Sequence, residues 1–286
     1  MPGLESRLRD MAHRAGLQKA PPVVHAYRLM STLRYRGRWD EPVEFRGARF
    51  RIGKDLSLYP AVANGGFEQH ELEHLLPLVD EDAVAWDVGG NVGIYAVLLA
   101  RAASRGHVVS FEPVPESYAR LTGNLQLNGV ENVTVENLAL SNRSGEASMR
   151  VHADAHGCDT LEVSAAAADS QAVSVTTMRG DEYAARSPHG FPDVIKIDVE
   201  GHEPEFFEGV WDQLTERRPT ILMEVNTTAW VGADRVKVWR DLLARLLDLY
   251  DGGRWVEPSG VRRVRHIDTD VLGDHAYALL LTTRDP

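Results

Sequence analysis

The stretch WDVGGNVGIY, residues 86–95, lies about a third of the way along the 286-residue chain and decides the fold. The apolar residues that lead into Asp87 predict a buried strand, and the run from Val92 to Ala103 predicts a helix. Three glycines and an asparagine separate the two elements, a composition typical of a tight turn where the backbone approaches a ligand closely. A strand, a glycine turn and a helix in this order indicate the first unit of a parallel α/β sheet.

The same alternation of strands and helices continues along the chain. Apolar runs predict strands at 83–88, 107–112, 133–137, 193–198 and 219–225. Helical spacing predicts helices near 67–79, 92–104, 115–128, 203–214 and 233–249. Two closing strands are expected to form an antiparallel pair, at 253–257 and 276–283. This order favours a largely parallel sheet that is covered by helices on both faces.

The parts of the chain outside this alternation indicate its domain organisation. Residues 4–18 have helical spacing, and residues 43–52 alternate around a glycine, so a helix and a hairpin are predicted before the sheet begins. Residues 141–180, rich in Ala and Ser, predict extra strands and a loop over one edge. We therefore expect a basic helical and hairpin extension at 1–55 and an α/β domain at 56–286.

Composition places the chain among ordinary globular proteins. Its hydrophobic fraction is 43% and its charged fraction is 26%. The single cysteine, Cys158, excludes an intrachain disulfide and fits a reducing compartment, where a lone thiol favours a structural role. The sequence shows no stretch resembling a signal peptide or a membrane helix. We therefore expect a cytoplasmic protein without a membrane partner.

The net charge of -11 is unevenly distributed along the chain. Residues 1–54 hold 12 Lys and Arg against 5 Asp and Glu, whereas the remainder holds 19 against 37. An acidic body argues against a nucleic-acid partner, because phosphate binding needs a positive face. The basic segment is expected either to lie on its own acidic domain or to contact another subunit, which would give a homo-oligomer through the N-terminal extension.

The glycine turn has a spacing that indicates the charge of its ligand. Asp87 ends the strand and is followed by Gly89, Asn91 and Gly93, the pattern D-x-G-x-N-x-G rather than the G-x-G-x-x-G of dinucleotide folds. A carboxylate in the pocket would oppose a pyrophosphate but would attract a sulfonium or an ammonium group. A nicotinamide oxidoreductase is therefore disfavoured, and the sequence also lacks a Tyr-x-x-x-Lys pattern.

A second acid follows the next predicted strand. Glu112 comes 25 residues after Asp87, where an acidic side chain can accept both hydroxyls of a ribose. Two carboxylates at this spacing suggest a cationic nucleoside, and S-adenosylmethionine fits that description. The alternative is that the two acids cap the helices that follow them.

Further polar residues crowd the ends of the fourth and fifth predicted strands. Such a cluster is costly to hold unless its charges are neutralised or used in chemistry. Its members are Asp198, Glu200, His202, Glu203, Glu224 and Asn226.

Four segments follow one another along the chain: DVGGNVGIY, FEPVPESYARLTGNLQLNG, LALSNRSG and DVIKIDVEGHEPEFFEG. In this order they resemble the FkbM family of S-adenosylmethionine-dependent methyltransferases, and the resemblance covers about residues 60–226. The family implies a class I methyltransferase fold, a Rossmann-like seven-stranded sheet whose last strand is antiparallel. It also implies methyl transfer, most often to a hydroxyl oxygen of a sugar or a natural product.

The resemblance also implies roles for individual residues. Glu112 would bind the ribose, and Ala139 to Ser141 would line the adenine. The methionine end of the cofactor would be held by Asp87, Gly89, Asn91 and Gly93. Independently of the resemblance, the position of Asp198 at the end of the fourth strand predicts that it lies near the reactive atom of the cofactor.

An alcohol must lose its proton during methyl transfer, and two hypotheses account for this step. In the first, His202 is the general base; the alternative is a surface histidine at a helix start. In the second, Asp198, Glu224 and Asn226 bind Mg²⁺, which would lower the pKa of a coordinated hydroxyl. Together Asp198, His202 and Glu224 are the predicted catalytic residues.

The acceptor is less well defined by the sequence. The acidic mouth favours a neutral or cationic acceptor, such as a glycoside, an amino sugar or a polyketide-type scaffold. Trp230, after the fifth strand, is expected either to stack on such an acceptor or to pack in the core. N-methylation of an amino sugar and a non-catalytic module that binds S-adenosylmethionine remain the alternative functions.

Overall fold

The computed structural model describes residues 30–152, 161, 170–257, 260–269, 272 and 276–284. The described residues up to Phe67 form one compact unit, and those from Glu68 onward form a second. The helix predicted at 4–18 and Cys158 lie outside the described residues. The division into an extension at 1–55 and an α/β domain stays a prediction.

The first unit contains the predicted hairpin. Strands β1 (Val43–Phe45) and β2 (Ala48–Phe50) pair antiparallel, followed by helix α1 (Leu58–Ala63). The turn residues Arg46 and Gly47 both have positive φ, 48° and 72°, as the two-residue turns that match the twist of a hairpin require. The predicted hairpin is therefore confirmed.

The second unit is built on a mixed sheet with helices between its strands. Its strands, in chain order, are β3 (Val84–Val88), β4 (His107–Phe111), β5 (Val133–Glu136), β6 (Ala139–Ser141), β7 (Gly145–His152), β8 (Ser170–Arg179), β9 (Val194–Ile197), β10 (Thr220–Asn226), β11 (Gly253–Glu257), β12 (Gly260–Val264) and β13 (Ala276–Leu281). Its helices are α2 (Gln69–Leu75), α3 (Ile94–Ala102), α4 (Pro115–Leu127), α5 (Gly180–Arg186), α6 (Glu203–Glu208), α7 (Trp211–Arg217) and α8 (Ala233–Leu249). None of these described helices is both long and apolar enough to cross a membrane.

The main sheet has the strand order β5-β4-β3-β9-β10-β13-β11-β12. Strands β5, β4, β3, β9 and β10 are parallel, whereas β13 runs antiparallel to both of its neighbours, β10 and β11. The predicted parallel strands, the antiparallel closing pair and the antiparallel last strand are confirmed.

The described part of this sheet has eight strands instead of the predicted seven. The additional strand, β12, folds back on β11 as an antiparallel hairpin at the edge of the sheet. Its first four residues, 260–263, are exposed and include Arg262 and Arg263. An edge strand without a buried face lacks the apolar alternation by which strands are recognised in a sequence.

Strands β6, β7 and β8 form a separate sheet. Its order is β6-β8-β7, with β6 parallel and β7 antiparallel to β8. The extra strands predicted here are therefore confirmed, and most of the predicted loop between β7 and β8 lies outside the described residues.

The single helix predicted at 203–214 is two helices, α6 and α7. The interruption lies at Gly209, where an added Cβ would come within 2.1 Å of the carbonyl oxygen of Ser141. Strand β6 approaches the chain closely at the point where the two helices separate. The sequence pattern does not predict this contact.

The register of the parallel strands determines which side chains share a face. Asp87 is opposite Ser110 of β4 on one side and Lys196 of β9 on the other, and Lys196 is opposite Leu222 of β10. Because these strands are parallel, their carboxyl ends meet at one edge of the sheet. The candidate site is built at that edge.

Candidate active site

The turn between β3 and α3 is shaped by backbone that only glycine adopts without strain. Gly89 has φ 85° and Gly93 has φ 86°. The amides of Gly89 and Gly90 both donate to the carbonyl of Phe111, at 3.1 and 3.0 Å. An added Cβ at Gly89 would lie 1.9 Å from the carbonyl oxygen of Asp198, so the turn lies directly against the end of β9.

Asp87 lies at the base of this turn and is fully buried. Its Oδ2 accepts a hydrogen bond from the hydroxyl of Ser110 at 2.9 Å. Burial raises the pKa of Asp87, and the positive charge of Lys196 opposes that rise. A positively charged ligand near Asp87 would likewise stabilise its ionised form.

Glu112 connects the turns that follow β3 and β4. Its side chain is buried, and its Oε2 accepts the amide hydrogen of Asn91 while its Oε1 accepts that of Val114, both at 2.8 Å. The N-cap residues of α3 and α4 are Gly93 and Val114, and neither helix has a side-chain cap. The alternative in which the two acids cap these helices is met in part, because Glu112 accepts the amide of Val114 at the start of α4, and a hydrogen bond from the Ala96 amide in the first turn of α3 lowers the pKa of Asp87.

Lys196 is a buried cation that lies among carboxylates. Its position in the site was not predicted from the sequence. Its Nζ lies 3.6 Å from Oδ2 of Asp198 and 4.8 Å from the centre of the Tyr95 ring. Burial lowers the pKa of Lys196, but the charges of Asp198, Asp87 and Glu68 more than reverse this and raise it overall. The signal in the sequence is a lysine between two isoleucines in an otherwise apolar strand.

A cavity opens beside Lys196 at the carboxyl ends of β9 and β10. The residues that line it include Glu68, Lys196, Asp198, Glu224 and Tyr277. Glu68, which sequence reasoning also missed, precedes α2 and therefore has no strand end to mark it. This arrangement places one ammonium group among several carboxylates.

Three carboxylates form the most acidic part of the site. Oxygens of Asp198, Glu200 and Glu224 lie within 4.8 Å of one another. Burial and the neighbouring charge of Asp198 raise the pKa of Glu200 and of Glu224 well above the usual range. A bound cation would oppose this rise and favour the ionised form of both side chains.

Asn226 was predicted from the sequence to be a metal ligand, but its side chain is not oriented for that role. Its Nδ2 donates to Oε2 of Glu200 at 3.1 Å, and its Oδ1 accepts from the amide and the hydroxyl of Thr228, at 3.1 and 2.6 Å. The amide nitrogen therefore faces the acids, and a nitrogen that donates cannot bind a metal. The oxygen set that could hold a cation is Asp198, Glu200 and Glu224.

His202 lies between α6 and β6 and is not among the residues that line the cavity. Only 8% of it is exposed; its Nε2 is 2.9 Å from Oγ of Ser141, and its Nδ1 is 3.5 Å from Oε2 of Glu205. Both ring nitrogens thus face protein groups. Ala139 and Ser141, the residues predicted to line the adenine, are also buried in β6.

Trp230 is 8% exposed and stacks on Trp239, with ring centres 5.1 Å apart. Of the two roles expected for Trp230, the structure shows packing in the core rather than a platform for an acceptor.

Four buried oxygens on the glycine turn and at the strand ends have no hydrogen-bond donor among the described residues. They are Oδ1 of Asp87, Oδ1 of Asn91, Oδ1 of Asp198 and Oε2 of Glu224. Buried acceptors without donors are unfavourable, so they fit a ligand that supplies N–H groups and positive charge. The amino-acid end of S-adenosylmethionine has both properties.

Comparison with known proteins agrees with this geometry. The sequence family described as the methyltransferase FkbM domain matches residues 87–250. The hexuronic acid methyltransferase AglP of Haloferax volcanii is 33% identical over 147 residues, which is 51% of this chain and 58% of that protein. Methyltransferase 1 of Beauveria bassiana is 20% identical over 162 residues, 51% of this chain and 65% of that protein. The chain thus spans less than two thirds of the length of these relatives.

Among solved structures, the O-methyltransferase TomG of Streptomyces achromogenes is similar with a TM-score of 0.44. It is 15% identical, and the similarity covers 76% of this chain and 80% of that one. The predicted class I architecture is confirmed by the strand order together with the family match. Because the matched domain covers more than half of its residues, the chain belongs to the FkbM methyltransferase family.

Proposed function

We propose that this chain is an S-adenosylmethionine-dependent methyltransferase that methylates a hydroxyl oxygen of a sugar or natural-product acceptor. The observation that carries this proposal is that three of the buried oxygen acceptors without donors belong to Asp87, Asn91 and Asp198. They lie on the family's glycine turn and at the adjacent strand end, where a bound cation with N–H groups would satisfy them. When bound, S-adenosylmethionine supplies an electrophilic methyl group.

The residues of the chain have separate tasks in this proposal. Asp87 and Asp198 bind the positive end of the cofactor, and the backbone of Gly89 and Gly93 allows close approach. Glu112 holds the turn at Asn91 in place and faces the ribose. The cavity beside Lys196 and Glu224 receives the acceptor and excludes water from its hydroxyl.

The charge of the cavity indicates which acceptor fits. Its titratable lining residues are mainly acidic, including Glu68, Glu71, Asp198 and Glu224 against Lys196. AglP is a hexuronic acid methyltransferase, which supports a sugar acceptor. A free hexuronate would be repelled by the acidic lining, so we propose a neutral hydroxyl-bearing sugar or scaffold. N-methylation of an amino sugar is the alternative that the same charge allows.

Mg²⁺ remains a second means of activating the hydroxyl. Asp198, Glu200 and Glu224 have the oxygen chemistry that this ion prefers. The ammonium of Lys196, 3.6 Å from Asp198, already supplies positive charge to the group. We therefore expect methyl transfer to survive exhaustive chelation with EDTA; loss of transfer that added Mg²⁺ restores would show that the ion is required.

The proposed function is tested by binding and turnover measured separately. Calorimetry with S-adenosylhomocysteine should show binding that is lost in Asp87→Asn, and the exposed Asp241→Asn on α8 should bind like the parent. Mass spectrometry should then detect a labelled methyl group on members of a panel of neutral glycosides, amino sugars and hexuronic acids. Binding without transfer to any acceptor would favour the non-catalytic module. Binding of NADH would favour an oxidoreductase.

Cytoplasmic location and association through the N-terminal extension stay predictions.

A further inference from the structure

Glu68 is held in an unusual backbone conformation at the start of α2. It is the N-cap residue of that helix, with φ 36° and ψ 47°, a left-handed conformation that residues with a Cβ rarely adopt. Backbone in such a region is concentrated at functional sites, because the surrounding structure must impose it. At Glu68 this conformation accompanies a side chain that lines the acceptor cavity.

The carboxyl group of Glu68 is also fixed by a buried tyrosine. Tyr95 of α3 donates its hydroxyl hydrogen to Oε2 of Glu68 at 2.5 Å, and the Tyr95 ring contacts the ammonium of Lys196. The other oxygen, Oε1, accepts no hydrogen bond from the residues that the structure describes. One oxygen is thus anchored while the second is left for a proton donor.

The groups that face Glu68 hold its pKa near neutrality. Burial raises the pKa of Glu68 to about 7, with a smaller rise from Asp198 and Glu71. The positive charge of Lys196 and the hydrogen bond from Tyr95 oppose this rise. A carboxyl group in this range is about half ionised at neutral pH, which suits a group that must accept a proton.

We propose that Glu68 is the general base that removes the proton from the acceptor hydroxyl, an inference that rests on the proposed methyl transfer. The hydroxyl proton moves to Oε1 of Glu68 while the hydroxyl oxygen forms its bond to the methyl carbon. The methyl–sulfur bond breaks with its electron pair left on sulfur, so the sulfonium becomes a neutral thioether. Lys196 and Tyr95 hold the carboxylate in the ionised state before the proton arrives.

Other acids and bases of the site are less suited to this role. His202 directs both of its ring nitrogens at protein groups outside the cavity. Glu200 and Glu224 lie with Asp198 in the acidic group, where burial and the charge of Asp198 raise the pKa of both well above the usual range of a carboxyl group. Asp198 also lines the cavity and has an oxygen without a donor, but it is the residue proposed to bind the positive end of the cofactor. Compared with His202, Glu200 and Glu224, Glu68 combines a carboxyl group fixed by a hydrogen bond with a place in the cavity lining.

The experiment compares Glu68→Gln and Tyr95→Phe with the exposed control Glu73→Gln of α2. In Glu68→Gln, kcat/KM for the acceptor should fall at least about 100-fold and lose its rise with pH near neutrality. In Tyr95→Phe the rise should move to higher pH, because the hydrogen bond that lowers the pKa of Glu68 is removed. Glu73→Gln should stay within about twofold of the parent.

A readout independent of turnover is the infrared band of a protonated carboxyl group in the protein alone. The parent and Glu73→Gln should lose one such band with a midpoint near neutral pH, and Glu68→Gln should lack that transition. An unchanged pH profile in both Glu68→Gln and Tyr95→Phe would overturn the assignment. If Glu68→Gln does not fold, an unmoved profile in Tyr95→Phe overturns it. Failure of the parent to bind S-adenosylhomocysteine would instead remove the proposed function itself.

Discussion

At the scale of single residues, Gly89 is the position at which the site depends most directly on the absence of a side chain. Gly89→Ala would add a Cβ 1.9 Å from the carbonyl oxygen of Asp198, at a φ of 85°. We expect a loss of roughly 2–4 kcal/mol in the free energy of unfolding, from overpacking and from the positive φ. The affinity for S-adenosylhomocysteine should fall at least about tenfold.

Gly123 of α4 is the matched control for Gly89. An added Cβ there has no neighbouring atom within 4 Å, and the residue lies inside a helix. Gly123→Ala should therefore leave binding unchanged and raise the free energy of unfolding by up to about 1 kcal/mol. Urea unfolding measures the free energy of unfolding of both variants, and calorimetry measures their affinity for S-adenosylhomocysteine. Equal changes in the two variants would contradict the close approach at Gly89.

Glu203 gives a pH dependence of stability with a definite sign. Burial raises the pKa of this side chain from 4.5 to about 8, while the hydrogen bond from the Val199 amide opposes the rise. Between these two values the folded chain holds a proton that the unfolded chain has lost. The contribution of Glu203 to the free energy of unfolding should therefore be fully present below pH 4.5 and should be lost as pH rises through about 8.

The contribution of Glu203 can be isolated by substitution. Each unit of pKa shift corresponds to roughly 1.4 kcal/mol, so the decrease between pH 5 and pH 8 should amount to a few kcal/mol. Glu203→Gln should flatten that part of the stability profile, whereas the exposed Glu208→Gln of the same helix should preserve it. Chemical unfolding at several pH values measures both, and an equal slope in both variants would refute the prediction.

At the scale of elements, α8 holds the loop that carries Asp198 and Glu200. Arg235 of α8 pairs with Glu205 of α6 at 2.6 Å and also donates to the carbonyl of Gly201. Only 13% of its side chain is exposed. Arg235→Ala should lower the free energy of unfolding by about 2 kcal/mol and increase hydrogen exchange at residues 199–202.

Lys237, on the same helix, provides the comparison for Arg235. It forms an ion pair with Asp241 at 2.9 Å, but 74% of its side chain is exposed, so water screens the pair. Lys237→Ala should change the free energy of unfolding by less than about 0.5 kcal/mol. Equal losses in the two variants would show that Arg235 does not hold the loop.

Helices and strands were predictable where their packing requires a regular pattern of apolar residues in the sequence. Buried parallel strands such as β3 and β9 appear as apolar runs, and α8 as a helix from 233 to 249 with the predicted bounds. The edge strand β12 has no such pattern because it is largely exposed. The break at Gly209 has none because it depends on contact with β6.

At the scale of the whole molecule, ligand binding and stability should be coupled. The site joins the ends of β3, β4, β9 and β10, so a ligand there binds only when these strands are assembled. S-adenosylhomocysteine at about 100 times its Kd should raise the free energy of unfolding by about 2.7 kcal/mol. Thermal unfolding with and without the ligand measures this, and a midpoint unchanged at millimolar ligand would contradict the proposed site.

The sequence by itself determined the class of fold, the glycine turn at 87–93 and the strand ends at which polar residues gather. These features follow from the local periodicity of apolar residues and from the conformational freedom of glycine. Both can be recognised from the order of residues alone. Only the tertiary structure decided which polar groups meet. It brought Lys196 and Glu68 into one cavity, turned the nitrogen of Asn226 toward Glu200, and placed His202 against Ser141. Side-chain direction and burial depend on contacts between residues distant in sequence, and spacing along the chain does not encode them.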